Sequence, residues 1–323
     1  MTGSGFRPPR LLRNADVQAG LANSSWRRKH VLSEAYDLLA VTQNLIIECR
    51  DGVRLSAQHT PAQQPNGRVA ILLHGWEGSS ASLHVLSAAD RLWRTGFRIV
   101  RINMRDHGGT HHLNRGIFHS CRLDEMVDAT RWVRESFPGE PLYLAGYSLG
   151  GNFALRIAAA AGPALGIARV AAVCPVLDPE ETMLALDSGS VIYRRYFMNK
   201  WRLSLERKAQ AFPADYDLRR LAQFRSLRDM TDHFVTRYTE YADLQSYLRG
   251  YAVTGDRLAG LAVPTSILLA DDDPVIPSGS ADRLAKSPAL TVQRTRWGGH
   301  CGFLLDYRLR TWSDDYLVES FSQ

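Results

Sequence analysis

Short apolar runs alternate with longer amphipathic stretches through most of this chain. Positions 69–74, 97–104, 141–147 and 169–175 are continuous or near-continuous apolar runs that read as buried strands. Between them, 81–95, 122–136 and 149–161 show helical spacing. Leu45 to Cys49 and Val53 to His59 flank Asp51-Gly52, a hairpin signal. From 178 to 250 the strand pattern vanishes and aromatic-rich helical spacing replaces it. The alternation resumes with a strand at 264–270, a weakly alternating one at 290–297 and a final helix over about 306–320. Such alternation predicts an α/β fold, a mostly parallel sheet with helices on both faces. The expected division is an N-terminal arm 1–44, a core from 45–176 and 252–323, and a helical cap 177–251.

The punctuation between elements carries the chemistry. Gly146-Tyr147-Ser148-Leu149-Gly150-Gly151 joins the strand 141–147 to the helix 149–161. A serine on so sharp a strand-to-helix turn is held proud of the sheet edge, and the flanking glycines let strand and helix approach closely. A Gly/Ser turn is the plainer reading of a bare G-x-S-x-G; the strand before and helix after favour a nucleophile. Asp271-Asp272-Asp273-Pro274-Val275-Ile276 follows the strand 264–270, and Gly298-Gly299-His300-Cys301-Gly302-Phe303 follows 290–297. Alone, the first reads as a solvated turn and the second as a loop. Together they give Ser, Asp and His at three successive strand ends, the order of an α/β-hydrolase triad. Asp273 is the preferred acid because an apolar pair follows Pro274; Asp272 is the alternative.

Acyl transfer also needs N–H donors for the developing oxyanion, each contributing about 3 kcal/mol. Leu149, the residue after the nucleophile, supplies one; Trp76, in the loop His74-Gly75-Trp76-Glu77-Gly78 after the strand 69–74, is the expected second. Trp76 and Tyr147 are also expected to line the substrate site, and His74 to pin the loop rather than react.

Beyond these motifs, Phe6-Arg7-Pro8-Pro9-Arg10, Arg105 to Leu113, Gly116-Ile117-Phe118-His119-Ser120 and the stretch from Asp232 through Thr236 to Tyr241 also match, so that the chain resembles the YheT-like branch of the α/β-hydrolases over nearly its whole length. The resemblance implies a carboxylester, lipid-ester or acyl-transfer substrate and no cofactor. Two departures stand out: Arg105-Asp106 replaces the family's Arg-Gly, and Asp16 to Gly20 lacks its Gln-Thr-Ile ending.

Composition adds limits. The 323 residues, 45% apolar, suffice for a large core. No run approaches the ~18 apolar residues of a membrane span, and residues 1–30 hold no apolar signal core, so a cytoplasmic location is expected. Four scattered cysteines read as reduced. From 194 to 228 ten basic residues face three acidic ones, interleaved with aromatics. An amphipathic helix pair packed on the core is the plainer reading; an acyl channel beneath a basic face that meets anionic membrane surfaces is the functional one. Nucleic acid is not expected, since no recognition motif accompanies the charge. His107, His111, His112 and His119 lie around Gly108-Gly109, which argues for a solvated or pocket-lining loop and against a metal site. The function expected is serine-dependent hydrolysis of a small acyl ester through an acyl-enzyme. Acyl transfer to an alcohol and a non-catalytic ligand-binding protein are the alternatives.

Overall fold

A computed structural model of the chain describes residues 6–322; residues 1–5 of the arm and residue 323 of the core lie outside them. Eight strands form one sheet in the order β1-β2-β4-β3-β5-β6-β7-β8. They are β1 (Gln43–Glu48), β2 (Arg54–Thr60), β3 (Val69–Leu73), β4 (Arg98–Ile102), β5 (Leu142–Tyr147), β6 (Ile167–Val173), β7 (Thr265–Ala270) and β8 (Leu290–Thr295). From β4 to β8 every pairing is parallel; β2 runs antiparallel to both β1 and β4. Every residue of β3 and β5 is buried, which is why these strands read as unbroken apolar runs.

Three short helices, α1 (Ala15–Ala22), α2 (Ser25–Glu34) and α3 (Tyr36–Ala40), precede β1. Within the sheet come α4 (Leu83–Trp93), α5 (Leu123–Ser136) and α6 (Leu149–Ala161). The helical excursion between β6 and β7 comprises α7 (Pro179–Ser188), α8 (Val191–Ala211), α9 (Leu227–Tyr238) and α10 (Leu244–Tyr251); α11 (Trp312–Ser322) closes the described chain. The step from β3 to β4 runs one way across the sheet and the next, past β3 to β5, runs the other. Right-handed crossovers therefore send α4 and α5 to opposite faces and open a crevice at the carboxyl ends of β3 and β5.

The last helix begins at Trp312, not near Asp306 as the pattern suggests. The Asp306 carboxylate accepts the N–H groups of Arg308 and Arg310, Leu309 turns through φ 62°, and the buried Arg27 of α2 donates to the Leu309 carbonyl. Those contacts hold 306–311 as a turn.

The Arg105-Asp106 departure has a structural reason. Asp106 sits at φ 61°, where glycine is the easy choice, and its buried carboxylate accepts from Lys208 Nζ of α8 at 2.8 Å and from the Phe118 N–H. Lys208 also donates to the carbonyls of His111 and Asn114. The side chain that strains the turn thus ties α8 to the loop after β4.

Candidate active site

Tyr147 ends β5 and Leu149 begins α6, so Ser148 alone must reverse the chain. It does so at φ 53° and ψ −118°, which costs on the order of 1–3 kcal/mol for a residue with a side chain. A Cβ on Gly146 would stand 2.2 Å from the Gly150 carbonyl oxygen, and one on Gly150 2.4 Å from that of His74; only glycine fits either position. The Ser148 N–H donates to Val173, its carbonyl accepts from Asn152 and Val176, and Oγ lies 3.1 Å from His300 Nε2.

His300 stands on the loop after β8, where Gly298 and Gly299 adopt φ 150° and 54°. Its Nδ1 meets Asp273 Oδ2 at 2.9 Å. The three aspartates after β7 have separate tasks. Asp273, with a side chain 1% exposed, uses Oδ1 to accept the N–H groups of Val275 and Ile276 at 2.8 and 3.0 Å. Asp272 Oδ1 accepts the Gly299 N–H at 2.8 Å and so steadies the histidine loop. Asp271 faces outward, paired with Arg294 and Ser278. The structure thus brings Ser148, His300 and Asp273 into one hydrogen-bonded chain and leaves Asp272 beside it.

The loop after β3 presses on the serine: a Cβ on Gly75 would lie 3.2 Å from Ser148 Cβ. The N–H groups of Trp76, in that loop, and Leu149, at the first turn of α6, have no hydrogen-bond acceptor among the described residues. His74 is fully buried; its Nδ1 meets the Gly75 carbonyl at 2.7 Å and its Nε2 accepts the Met104 N–H. Burial pushes it down to about 4, so it is a neutral brace. His107 braces the next turn in the same way, accepting the Glu77 N–H, and burial pushes it down to about 3. Of the histidine-rich loop, His107, His111 and His119 are buried rather than solvated.

Two chambers meet at Ser148. One, of about 890 Å³ including its mouth, is apolar, with Leu149, Met183, Leu186, Trp201 and Phe234 in its wall; the other, about 1090 Å³, is bordered by Arg28, Glu77, His84, Tyr147, Lys200 and His300. Trp76 borders both and stacks on Phe197. Tyr147 is 2% exposed and stacks against His84, so it forms wall more than surface.

Two features escaped the sequence. Gln18 of α1, fully buried, donates to the Leu12 carbonyl and accepts the Leu304 N–H, so the arm clamps the chain just past His300. A lone glutamine among the small apolar residues of α1 was the available signal. Cys174 and Cys301, 127 positions apart in sequence, have sulfurs within 4.8 Å of each other and of a His300 nitrogen. Sequence spacing does not suggest that grouping, and both imidazole nitrogens already meet Asp273 and Ser148.

Residues 69–307 match the α/β-hydrolase fold family model. The chain belongs to the α/β-hydrolase fold family. It is 28% identical to Putative esterase YheT of Escherichia coli (strain K12) over 293 residues, 85% of each chain. It is 27% identical to Protein ABHD15 of Homo sapiens over 70% of this chain and 49% of that one. Among solved structures it resembles the Pyrococcus furiosus esterase Pf2001, with a TM-score of 0.57 at 14% identity, covering 88% of this chain and 90% of that one. The 2,6-dihydroxy-pseudo-oxynicotine hydrolase gives 0.59 at 17%, covering 94% and 73%. The first relative is named as an esterase, and the family and fold are those of hydrolases.

Proposed function

We propose that this chain is a serine-dependent carboxylester hydrolase working through an acyl-enzyme. The observation that carries the reading is the Ser148–His300–Asp273 chain at 3.1 and 2.9 Å, with the serine on a strained elbow. His300 Nε2 takes the Ser148 proton as Oγ attacks the ester carbonyl. The N–H groups of Trp76 and Leu149 receive the oxyanion. The imidazolium, steadied by Asp273, returns the proton to the departing alkoxide; water then repeats the sequence on the acyl-enzyme and frees the acid. The apolar chamber suits the acyl chain, and the polar chamber suits the leaving alcohol and incoming water. Fluorophosphonate labelling of Ser148 and turnover of a p-nitrophenyl ester panel test this directly; a protein that neither labels nor turns over any ester refutes it.

A pH dependence follows. Burial disfavours the imidazolium of His300, but the Asp273 carboxylate, with Cys301, outweighs it and raises the group to about 9. The base form is neutral, so kcat/KM is expected to climb with pH and level off above about 9. Stability runs the other way. The folded value lies above the unfolded one near ~6.5, so the stabilisation is full below that pH and is lost as pH rises through about 9. A pH–rate profile and thermal melts from pH 6 to 10 check both; an acid limb centred near 6 would mean that Asp273 does not raise His300.

We also propose that the excursion between β6 and β7 acts as a cap whose outer face meets anionic membrane surfaces. Along α8, Ile192, Arg195, Tyr196, Lys200, Leu203 and Arg207 lie on one exposed face that Asn199 and Glu206 share, so three basic side chains stand against one acidic one among the exposed apolar residues. Tyr196 and Lys200 also border the polar chamber, so the face opens toward Ser148. Arg194 does not belong to it, since its guanidinium is tied to the Asp187 carbonyl. Ile192→Ser combined with Arg195→Ala is expected to weaken hydrolysis on anionic vesicles several-fold and to leave a soluble short ester unchanged. Added salt should reduce the wild-type vesicle rate, as screening shortens the ~10 Å Debye length near 0.1 M. Equal loss on both substrates would place these residues in the chemistry instead.

A further inference from the structure

The apolar chamber is lined by several polar side chains besides Ser148, among them Ser120, Thr182, Thr231, Tyr247 and Tyr251, and one of them, a histidine, has both ring nitrogens unpaired. His119 sits in its wall, 4% exposed, and neither ring nitrogen has a hydrogen-bond partner among the described residues. Glu240 Oε2 stands 3.5 Å from Nε2 without forming a hydrogen bond, and its side chain is 67% exposed. Tyr241 and Tyr247 meet the imidazole edge to face, with centroids 5.8 and 6.3 Å away. Burial, helped by Arg122, Arg105 and Arg156, pushes His119 down to about 3. The ring is therefore neutral and offers one donor and one acceptor. A wall that only held hydrocarbon would gain by replacing such a group with an apolar one, because an unpaired buried polar group is costly.

Its place in the chamber follows from α6. The carbonyl of the adjacent Ser120 accepts from Arg156 Nη1, which reaches back along the helix to meet Asn152 Oδ1 as well, four positions beyond Ser148. At 1.5 Å of rise per residue that is about 6 Å along the helix axis, so His119 meets a chain several methylenes past the ester carbonyl.

We infer that the chamber selects acyl groups bearing a hydroxyl or keto oxygen several methylenes from the ester, and that this oxygen hydrogen-bonds to His119. The inference rests on Ser148 being the acyl-transfer nucleophile. An oxygen-bearing chain supplies the partner that the imidazole lacks, and a plain hydrocarbon chain leaves it unpaired, so selectivity runs against the plain chain. A site built to bond a substrate hydroxyl rejects an analogue without it for the same reason.

The test uses p-nitrophenyl esters of one chain length, either plain or with a hydroxyl or oxo group moved stepwise along the chain. Wild type, His119→Leu and His119→Gln are compared by kcat/KM, with fluorophosphonate labelling and thermal melts on the same samples. Wild type is expected to favour one or two adjacent positions over the plain chain by about 5- to 150-fold. His119→Leu should erase that preference by slowing the oxygen-bearing esters to the rate of the plain one, and His119→Gln, with an amide donor and acceptor, should keep part of it. A flat wild-type profile overturns the inference, as does a preference that survives His119→Leu in a folded protein. If His119→Leu melts early, the wild-type profile and His119→Gln decide by the same criteria. Labelled Ser148 with a flat profile overturns the oxygen subsite alone, whereas wild type that neither labels nor hydrolyses any ester overturns the reading beneath it as well.

Discussion

Ser148→Ala is expected to lower ester turnover by on the order of 10⁶ and to abolish fluorophosphonate labelling, because in a Ser–His–Asp site the three groups act as a unit. Stability should change little, by no more than about 0.5 kcal/mol. The Ser148 side chain makes no capping bond to α6, and its recorded hydrogen bond is the one to His300. The strain at φ 53° belongs to the backbone and stays with alanine. Turnover assays, labelling and a thermal melt on one preparation check the three statements. Residual turnover above about one part in 10³, with contaminating esterase excluded, would mean that the attacking group lies elsewhere, since the oxyanion donors and substrate binding alone sustain only a small remainder.

The sheet and the elbow were legible in the sequence because both depend on local chemistry. A strand buried on both faces must be apolar throughout, as β3 and β5 are. A one-residue reversal between strand and helix must have glycines where Gly146 and Gly150 stand. The hairpin of β1 and β2 was visible in Asp51-Gly52, both at positive φ. What stayed hidden is carried by contacts between residues far apart in the chain. Gln18 reaches Leu304 and Arg27 reaches Leu309, and nothing in 306–311 itself reveals that its carbonyls are already engaged. Asp106 looks like a departure from a glycine position until Lys208, 102 positions on, is seen to need a carboxylate there. The same holds for His119: its residue type was plain, but its lack of a partner is a property of the packed chamber.

The aspartate triplet offers the sharpest test of the relay. Asp273→Asn is expected to lower kcat by about 10⁴, and the hydrogen bonds explain why an isosteric change should be so damaging. Oδ1 of Asp273 accepts two backbone N–H groups, from Val275 and Ile276, so the amide oxygen of an asparagine would keep that position. Its NH₂ would then point at His300 Nδ1, which Asp273 Oδ2 now meets at 2.9 Å. An NH₂ there requires Nδ1 to accept, which puts the imidazole proton on Nε2. Nε2 is the atom 3.1 Å from Ser148 Oγ, and once protonated it cannot take the serine proton. The charge that lifts His300 to about 9 is lost at the same time, so what activity remains should have its acid limb at lower pH. Asp272→Asn keeps an acceptor for the Gly299 N–H and should cost far less. Asp271→Asn breaks only an exposed pair with Arg294, worth about 0–1 kcal/mol. Measured kcat for the three single variants ranks the aspartates directly: a crippled Asp272→Asn beside a near-normal Asp273→Asn would move the acid one residue upstream and require the histidine loop to sit differently on the sheet edge.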